Sequence, residues 1–264
     1  MKPIAALPSK KEEELVRQMA VSKLSPEQMA HRYLLAFARY QYPHYKIARH
    51  NATIAKKLQE VESGEITRLM IFTPPRHGKT MLISEFFPAW YLGRNPTKQI
   101  IATSYSSERG LDVGRKVRDL LVDPRYANIF PNSKVNPNSK SAKQLSLLQG
   151  GNYFSVGIGG AVTGRGADVL IIDDPIKGRE DAESDSAQSK MRDWFTSVAY
   201  TRLMPGRSAI ILVMTRWSYY DLAGWLLDEK KSEGWEVLNM PALAEDEDDF
   251  LGRQPKDALW PEAY

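Results

Sequence analysis

From residue 68 onward the chain alternates short apolar runs with amphipathic stretches. The apolar runs fall at 69–72, 100–104, 169–172, 210–214 and 235–240. Each has strand length and is rich in aliphatic side chains. Between them, helical spacing of apolar residues covers 80–92, 108–121, 182–201 and 220–231. Strands alternating with helices predict an α/β domain, a mostly parallel sheet with helices on both faces. Upstream the pattern is helical. Ser25 can cap, Pro26 suits a first helical position and Gln28 completes a capping box, after which Met29, Tyr33, Leu34, Phe37 and Ala38 recur at helical spacing. A second helix is predicted over 47–61, stopping before Gly64. Residues 1–24 are charged and weakly patterned, with 10–14 read as solvated helix or tail. The stretch 131–167 is punctuated by Asn, Ser, Pro and Gly. Within it only 144–148 and 153–156 read as strands, an antiparallel hairpin around Gly150-Gly151.

Composition narrows the class. The 264 residues, 42% of them hydrophobic, fit one large domain with a sizeable core. No apolar run approaches the roughly 18 residues of a membrane span, and the N-terminus lacks a signal-peptide core. A soluble cytoplasmic protein without a membrane partner is expected. The absence of cysteine excludes a disulfide scaffold, a thiolate metal site and a thiol nucleophile. The four histidines, at 31, 44, 50 and 77, have no zinc spacing. A net charge of +4 is compatible with a polyanionic partner without demanding one.

Three strand ends carry the chemistry. The first is followed by Thr73-Pro-Pro-Arg-His-Gly-Lys-Thr80 and then a helix, the context of a Walker A phosphate loop. There, backbone N–H groups and the helix N-terminus make a concave positive site. Gly78 allows close approach, Lys79 faces the β/γ-phosphates and Thr80 offers a hydroxyl to Mg²⁺. Pro75, Arg76 and His77 complete the nucleotide-binding loop, although Thr73 stands where the usual first glycine would be. The run at 169–172 ends in Asp173 and Asp174, assigned to the metal and to the attacking water respectively. The run at 210–214 delivers Thr215 and Arg216, which should point at the nucleotide because ligands bind beyond the carboxyl ends of such strands. The glycine-rich stretch 157–166 does not lead from strand to helix. It reads as a surface loop, or as one that carries an arginine to a neighbour's site. Arg109, Arg115, Lys116, Arg118 and Arg125 lie on and after a helix and read as a solvated face in preference to a dedicated DNA stripe.

Taken together the motifs resemble those of tailed-phage large terminases, the ATPases that drive DNA into a viral shell. Pro-Pro-Arg-His-Gly-Lys-Thr (74–80), Ala-Thr-Ser-Tyr-Ser (102–106), Thr-Gly-Arg-Gly-Ala-Asp (163–168), Ile-Ile-Asp-Asp-Pro (171–175) and Thr-Arg-Trp (215–217) occur in that order. The resemblance covers about 43–264 and implies a RecA-like P-loop ATPase domain there, behind an N-terminal helical segment, 1–42. It places the 210–214 strand between the Walker A and Walker B strands, and it implies ATP and Mg²⁺ as ligands. It makes Arg76 the loop arginine and Thr215-Arg216-Trp217 the motif coupling hydrolysis to movement. Adenine would lie near 42–50, with Tyr45 and His50 as candidates. Arg165 would be the arginine supplied to an adjacent subunit, with Arg202 and Arg207 as rivals. The implied partners are double-stranded DNA, a portal protein, a small terminase subunit and further copies in a ring on the portal, in the cytoplasm of an infected host cell; a monomer in isolation is compatible with this. Such enzymes usually carry a nuclease domain after the ATPase. The sequence ends without strands to build one, so no cutting activity is expected. A helicase-type translocase is the alternative, but it would need a second RecA-like domain. A binder without turnover would have no use for the paired carboxylates.

Overall fold

The apolar runs form the centre of an eight-stranded sheet in a computed structural model that describes residues 24–263 except 161, 163 and 248. The charged stretch at 10–14 lies outside the described residues. In chain order the strands are β1 (Arg68–Phe72), β2 (Gln99–Ser104), β3 (Val135–Lys140), β4 (Gln144–Leu147), β5 (Asn152–Gly157), β6 (Val169–Asp173), β7 (Ala209–Met214) and β8 (Glu236–Asn239). Across the sheet they run β3-β4-β5-β2-β6-β7-β1-β8. The six from β5 to β8 are parallel, and β4 and β3 extend the sheet antiparallel. The strand after residue 208 thus lies between β1 and β6, as the resemblance implied. In register, Ser104 pairs with Asp173, Asp173 with Val213 and Met214 with Phe72. The central strands therefore end level, and the loops that leave them emerge along one edge.

Alternation along the central strands divides the core. Leu69, Ile71, Ile171, Ile211 and Val213 face one layer of helices, whereas Met70, Leu170, Ile172, Ile210 and Leu212 face the other. The first layer holds α1 (Pro26–Arg32), α2 (Leu34–Gln41), α3 (Arg49–Ser63), a π-type stretch (Met81–Phe86) running into α4 (Phe87–Arg94), α5 (Ser107–Val122) and α6 (Pro124–Ile129). The second holds α7 (Arg179–Glu183), α8 (Asp185–Trp194) and α9 (Leu222–Glu229). Ala30, Leu34 and Phe37 lie in the same buried cluster as β1.

Two expected helices are divided. The first breaks at Tyr33, which is extended, and the amide of Leu34 at the new N-terminus donates to Gln59 of α3 at 3.1 Å. The stretch 182–201 breaks at Ser184, whose hydroxyl caps α8 by accepting from Ala187 N–H. The hairpin around Gly150-Gly151 forms as expected, and Gly150 takes φ 98°. Strand β3 was not expected. Its sequence, Val-Asn-Pro-Asn-Ser-Lys, has no apolar alternation, and its proline is tolerated because it lies at the sheet edge.

Candidate active site

After β1 the chain curls through residues 73–78 into the π-type stretch. Arg76 (φ 62°) and Gly78 (φ 80°) both adopt left-handed conformations. An arginine held there costs about 1–2 kcal/mol, so this turn is imposed by its surroundings. The first turn of α3 supports it from below: the His50 ring nitrogen Nε2 lies 2.9 Å from the His77 carbonyl oxygen. A Cβ at Gly78 would meet Asn51 Nδ2 at an unremarkable 3.6 Å, so the left-handed backbone, and not space, explains the glycine.

The next residues meet the tips of β6 and β7. Lys79 Nζ donates to Thr215 Oγ1 at 2.7 Å and stands 3.1 Å from Asp174 Oδ1. Asp174 is also left-handed (φ 44°); its N–H donates to Val213 O and its carboxylate accepts from Thr215 N–H at 3.1 Å. One ammonium, one carboxylate and one hydroxyl from three adjacent strand ends thus form a closed cluster. Lys79 is buried and Asp174 about one-third exposed.

Asp173, the residue before it, is buried. Its Oδ2 accepts from Ser84 Oγ at 2.8 Å, while Oδ1 is buried and has no partner among the described residues. Burial, and next the charge of Asp174, push its carboxyl up to about 6. Thr80 lines the cleft above the loop with Gly78, Lys79, Asp174 and Thr215; that cleft is about 410 Å³. A magnesium ion fits this donor set. It takes hard oxygen ligands, usually one or two carboxylates and several waters plus substrate phosphates. The orphaned Asp173 oxygen and the Thr80 hydroxyl are such donors. Among the described residues no three His, Asp or Glu side chains gather as a metal cage.

A second hollow, about 290 Å³, adjoins the cleft, and Met81, Glu85 and Lys116 line both. Glu85 is buried and accepts from Lys116 at 2.8 Å. At the far side of the hollow stands Gln41, 4% exposed, with neither amide atom partnered among the described residues, beside Tyr42 and Phe86. A buried amide without partners carries a desolvation cost on the order of 1–3 kcal/mol, which a ligand edge with one donor and one acceptor would remove.

Four expectations change. Tyr45 is buried in the core against Phe86, at 5.4 Å between ring centroids, and faces neither hollow. His50 is fully buried beneath the loop, where burial drives its pKa down to about 4. Arg216 turns away from the cleft: its Nε donates to the buried Asp221 at 2.8 Å and its guanidinium covers Phe72 at 5.0 Å. Arg165 is not extended from its loop. It donates to Gln144 at 2.9 Å and stacks 3.9 Å from the Phe154 ring centroid. The structure adds Ser84, Glu85, Gln41, Arg109 and Lys116, the last two of which line the cleft and do not merely solvate α5. Only Arg109 and Lys116 left a sequence signal, since a seven-residue separation puts both on one helix face.

Residues 70–257 match the family described as terminase large subunit, T4likevirus-type, N-terminal. In fold the chain is similar to the large terminase of bacteriophage HK97, with a TM-score of 0.57, 18% identity, 81% of this chain covered and 44% of that one. The chain thus spans less than half the length of that terminase. It is also similar to the large terminase of a thermophilic bacteriophage in complex with ADP (TM-score 0.42, 11% identity, 70% and 44% covered). S. cerevisiae Dbp5 gives a TM-score of 0.49 at 13% identity, with 82% and 50% covered. No curated protein matches the chain. With about seven-tenths of its length matched and the loop, the paired carboxylates and the strand order all in place, the chain belongs to the N-terminal family of T4-like terminase large subunits.

Proposed function

We propose that this chain hydrolyses ATP in the cleft above the phosphate loop and that hydrolysis drives double-stranded DNA into a viral procapsid. The observation that carries the reading is the Lys79–Asp174–Thr215 cluster at the tips of three adjacent strands. Asp174 forms an ion pair with Lys79. A triphosphate entering the loop competes for the ammonium and releases the Asp174 carboxylate, which then orients and deprotonates the attacking water. Thr215 touches both groups, so it relays their exchange into β7 and the Trp217 loop. Asp173 and Thr80 would hold Mg²⁺, which supplies charge neutralisation to the transferred phosphoryl group. Gln41 would read the adenine edge, because a glutamine amide pairs with N6 and N7 of adenine in two bonds. Arg76 lines the cleft above the phosphate loop and would add positive charge there.

The ring on a portal, the small subunit and the DNA are partners of this reading, with residues 1–42 as a helical segment before the motor domain. Arg165 is the arginine proposed for the adjacent subunit; it would have to leave Phe154 to reach it. The test is steady-state ATP hydrolysis with and without duplex DNA over a range of protein concentrations. DNA-stimulated turnover that rises with concentration supports a motor assembled from copies. Turnover indifferent to DNA and concentration would make this an ATPase of another kind.

A further inference from the structure

His50 is an unusual residue to find entirely buried, and its position has a purpose that the chemistry above does not use. Its Nε2 meets the carbonyl of His77, inside the phosphate loop. The Trp260 ring stands 5.4 Å from the His50 ring and 6.3 Å from the His77 ring, so three rings from three parts of the chain meet behind the loop. Trp260 is delivered there by an anchored segment. After β8, Met240 N–H donates to Phe72 O, and Leu259 N–H returns to Ala242 O at 2.8 Å. Within that return Arg253, 5% exposed, pairs with Asp249 through Nε and Nη2 and donates from Nη1 to Pro241 O. Arg49, beside His50, donates to Leu251 O. The segment is thus pinned at one end to the tip of β1 and at the other to the loop that β1 leads into.

We propose that His50 and Trp260 are positioning residues for the phosphate loop, His50 fixing the His77 carbonyl and Trp260 covering both imidazoles, so that the segment after β8 moves with the loop when nucleotide enters it. This rests on the loop binding ATP. A buried carbonyl that loses its partner costs about 1–3 kcal/mol, and here that energy is available to hold Arg76 and Gly78 in their left-handed turns before any phosphate arrives. Such a residue acts on ligand binding more than on the chemical step.

The test compares His50→Phe, His50→Gln, Trp260→Phe and Lys79→Ala with wild type, using MgATP. His50→Phe should raise KM for ATP about 5- to 10-fold with kcat changed less than about threefold, and His50→Gln, which restores a donor, should recover most of the loss. The emission difference between wild type and Trp260→Phe isolates one indole among the six tryptophans. That difference should shift on adding MgATP to the two proteins. A His50→Phe protein that folds and keeps the wild-type KM overturns the proposal, as does a Trp260 signal that ignores nucleotide while ATP demonstrably binds. Should His50→Phe not fold, the Trp260 signal decides alone. Failure of the underlying reading is distinguishable: wild type and Lys79→Ala would then be equally inert toward ATP.

Discussion

The places of Lys79, Thr80, Asp173 and Asp174 beyond β1 and at the end of β6 could be read from sequence because each is fixed by its neighbours: a glycine before, an apolar strand before, a helix after. Gln41, Ser84 and Glu85 could not. Packing brings Glu85 to the cleft, Gln41 to the adjoining hollow and Ser84 to the Asp173 carboxylate, from a helix end and from a stretch whose π-type winding no periodicity announces. Tyr45 and His50 differ from expectation for the converse reason. An aromatic residue near a phosphate loop in sequence is also a residue that a core can absorb, and here burial won. Asp174→Asn should retain ATP binding yet turn over on the order of 10²-fold more slowly, as loss of a general base does; single-turnover kinetics on the purified variant would check it. Gln41→Ala should lower the preference for ATP over GTP by roughly 5- to 100-fold, the range of one bidentate base contact, and an unchanged preference in competition binding would remove Gln41 from the base site. His50 gives a pH-dependent prediction. Its folded pKa, about 4, lies below the ordinary 6.5, so the unfolded chain binds the extra proton between those values. Stability is therefore intact above about 6.5 and falls as the pH drops toward 4. His50→Gln should remove about 2 kcal/mol of the stability difference between pH 7 and pH 5, read from urea midpoints.

At the scale of elements, the strands were legible where both faces are buried, since β6 and β7 are apolar at nearly every position. Breaks and edges were not. Tyr33 interrupts a helix where Gln59, on another helix, accepts the amide of Leu34, and β3 pairs through its backbone despite side chains that favour turns. The loop after β7 shows an element held by one ion pair. Asp221 is fully buried, caps α9 through Gly224 N–H and accepts from Arg216 and from Trp217 N–H. Asp221→Ala should destabilise the fold by about 2–4 kcal/mol, combining a lost cap with an unpaired arginine. Chemical denaturation would measure it, and a loss below about 1 kcal/mol would show that the loop tolerates the break.

Over the whole molecule, the level ends of β1, β6 and β7 gather every proposed catalytic group except Arg165 on one edge of the sheet. Arg165 lies near the antiparallel extension, stacked on Phe154 of β5. If it completes a neighbour's site, Arg165→Ala and Lys79→Ala should each be inactive alone and regain some turnover when mixed, because each supplies what the other lacks. No recovery under conditions where wild-type subunits assemble would assign the role to another residue. All of this depends on the loop being a site of hydrolysis. The most direct measurement is Mg²⁺-dependent phosphate release from ATP by wild type and by Lys79→Ala, in the presence of duplex DNA. The account predicts turnover by wild type that stops in EDTA and is absent from the folded Lys79→Ala protein. Equal phosphate release by the two proteins would contradict it.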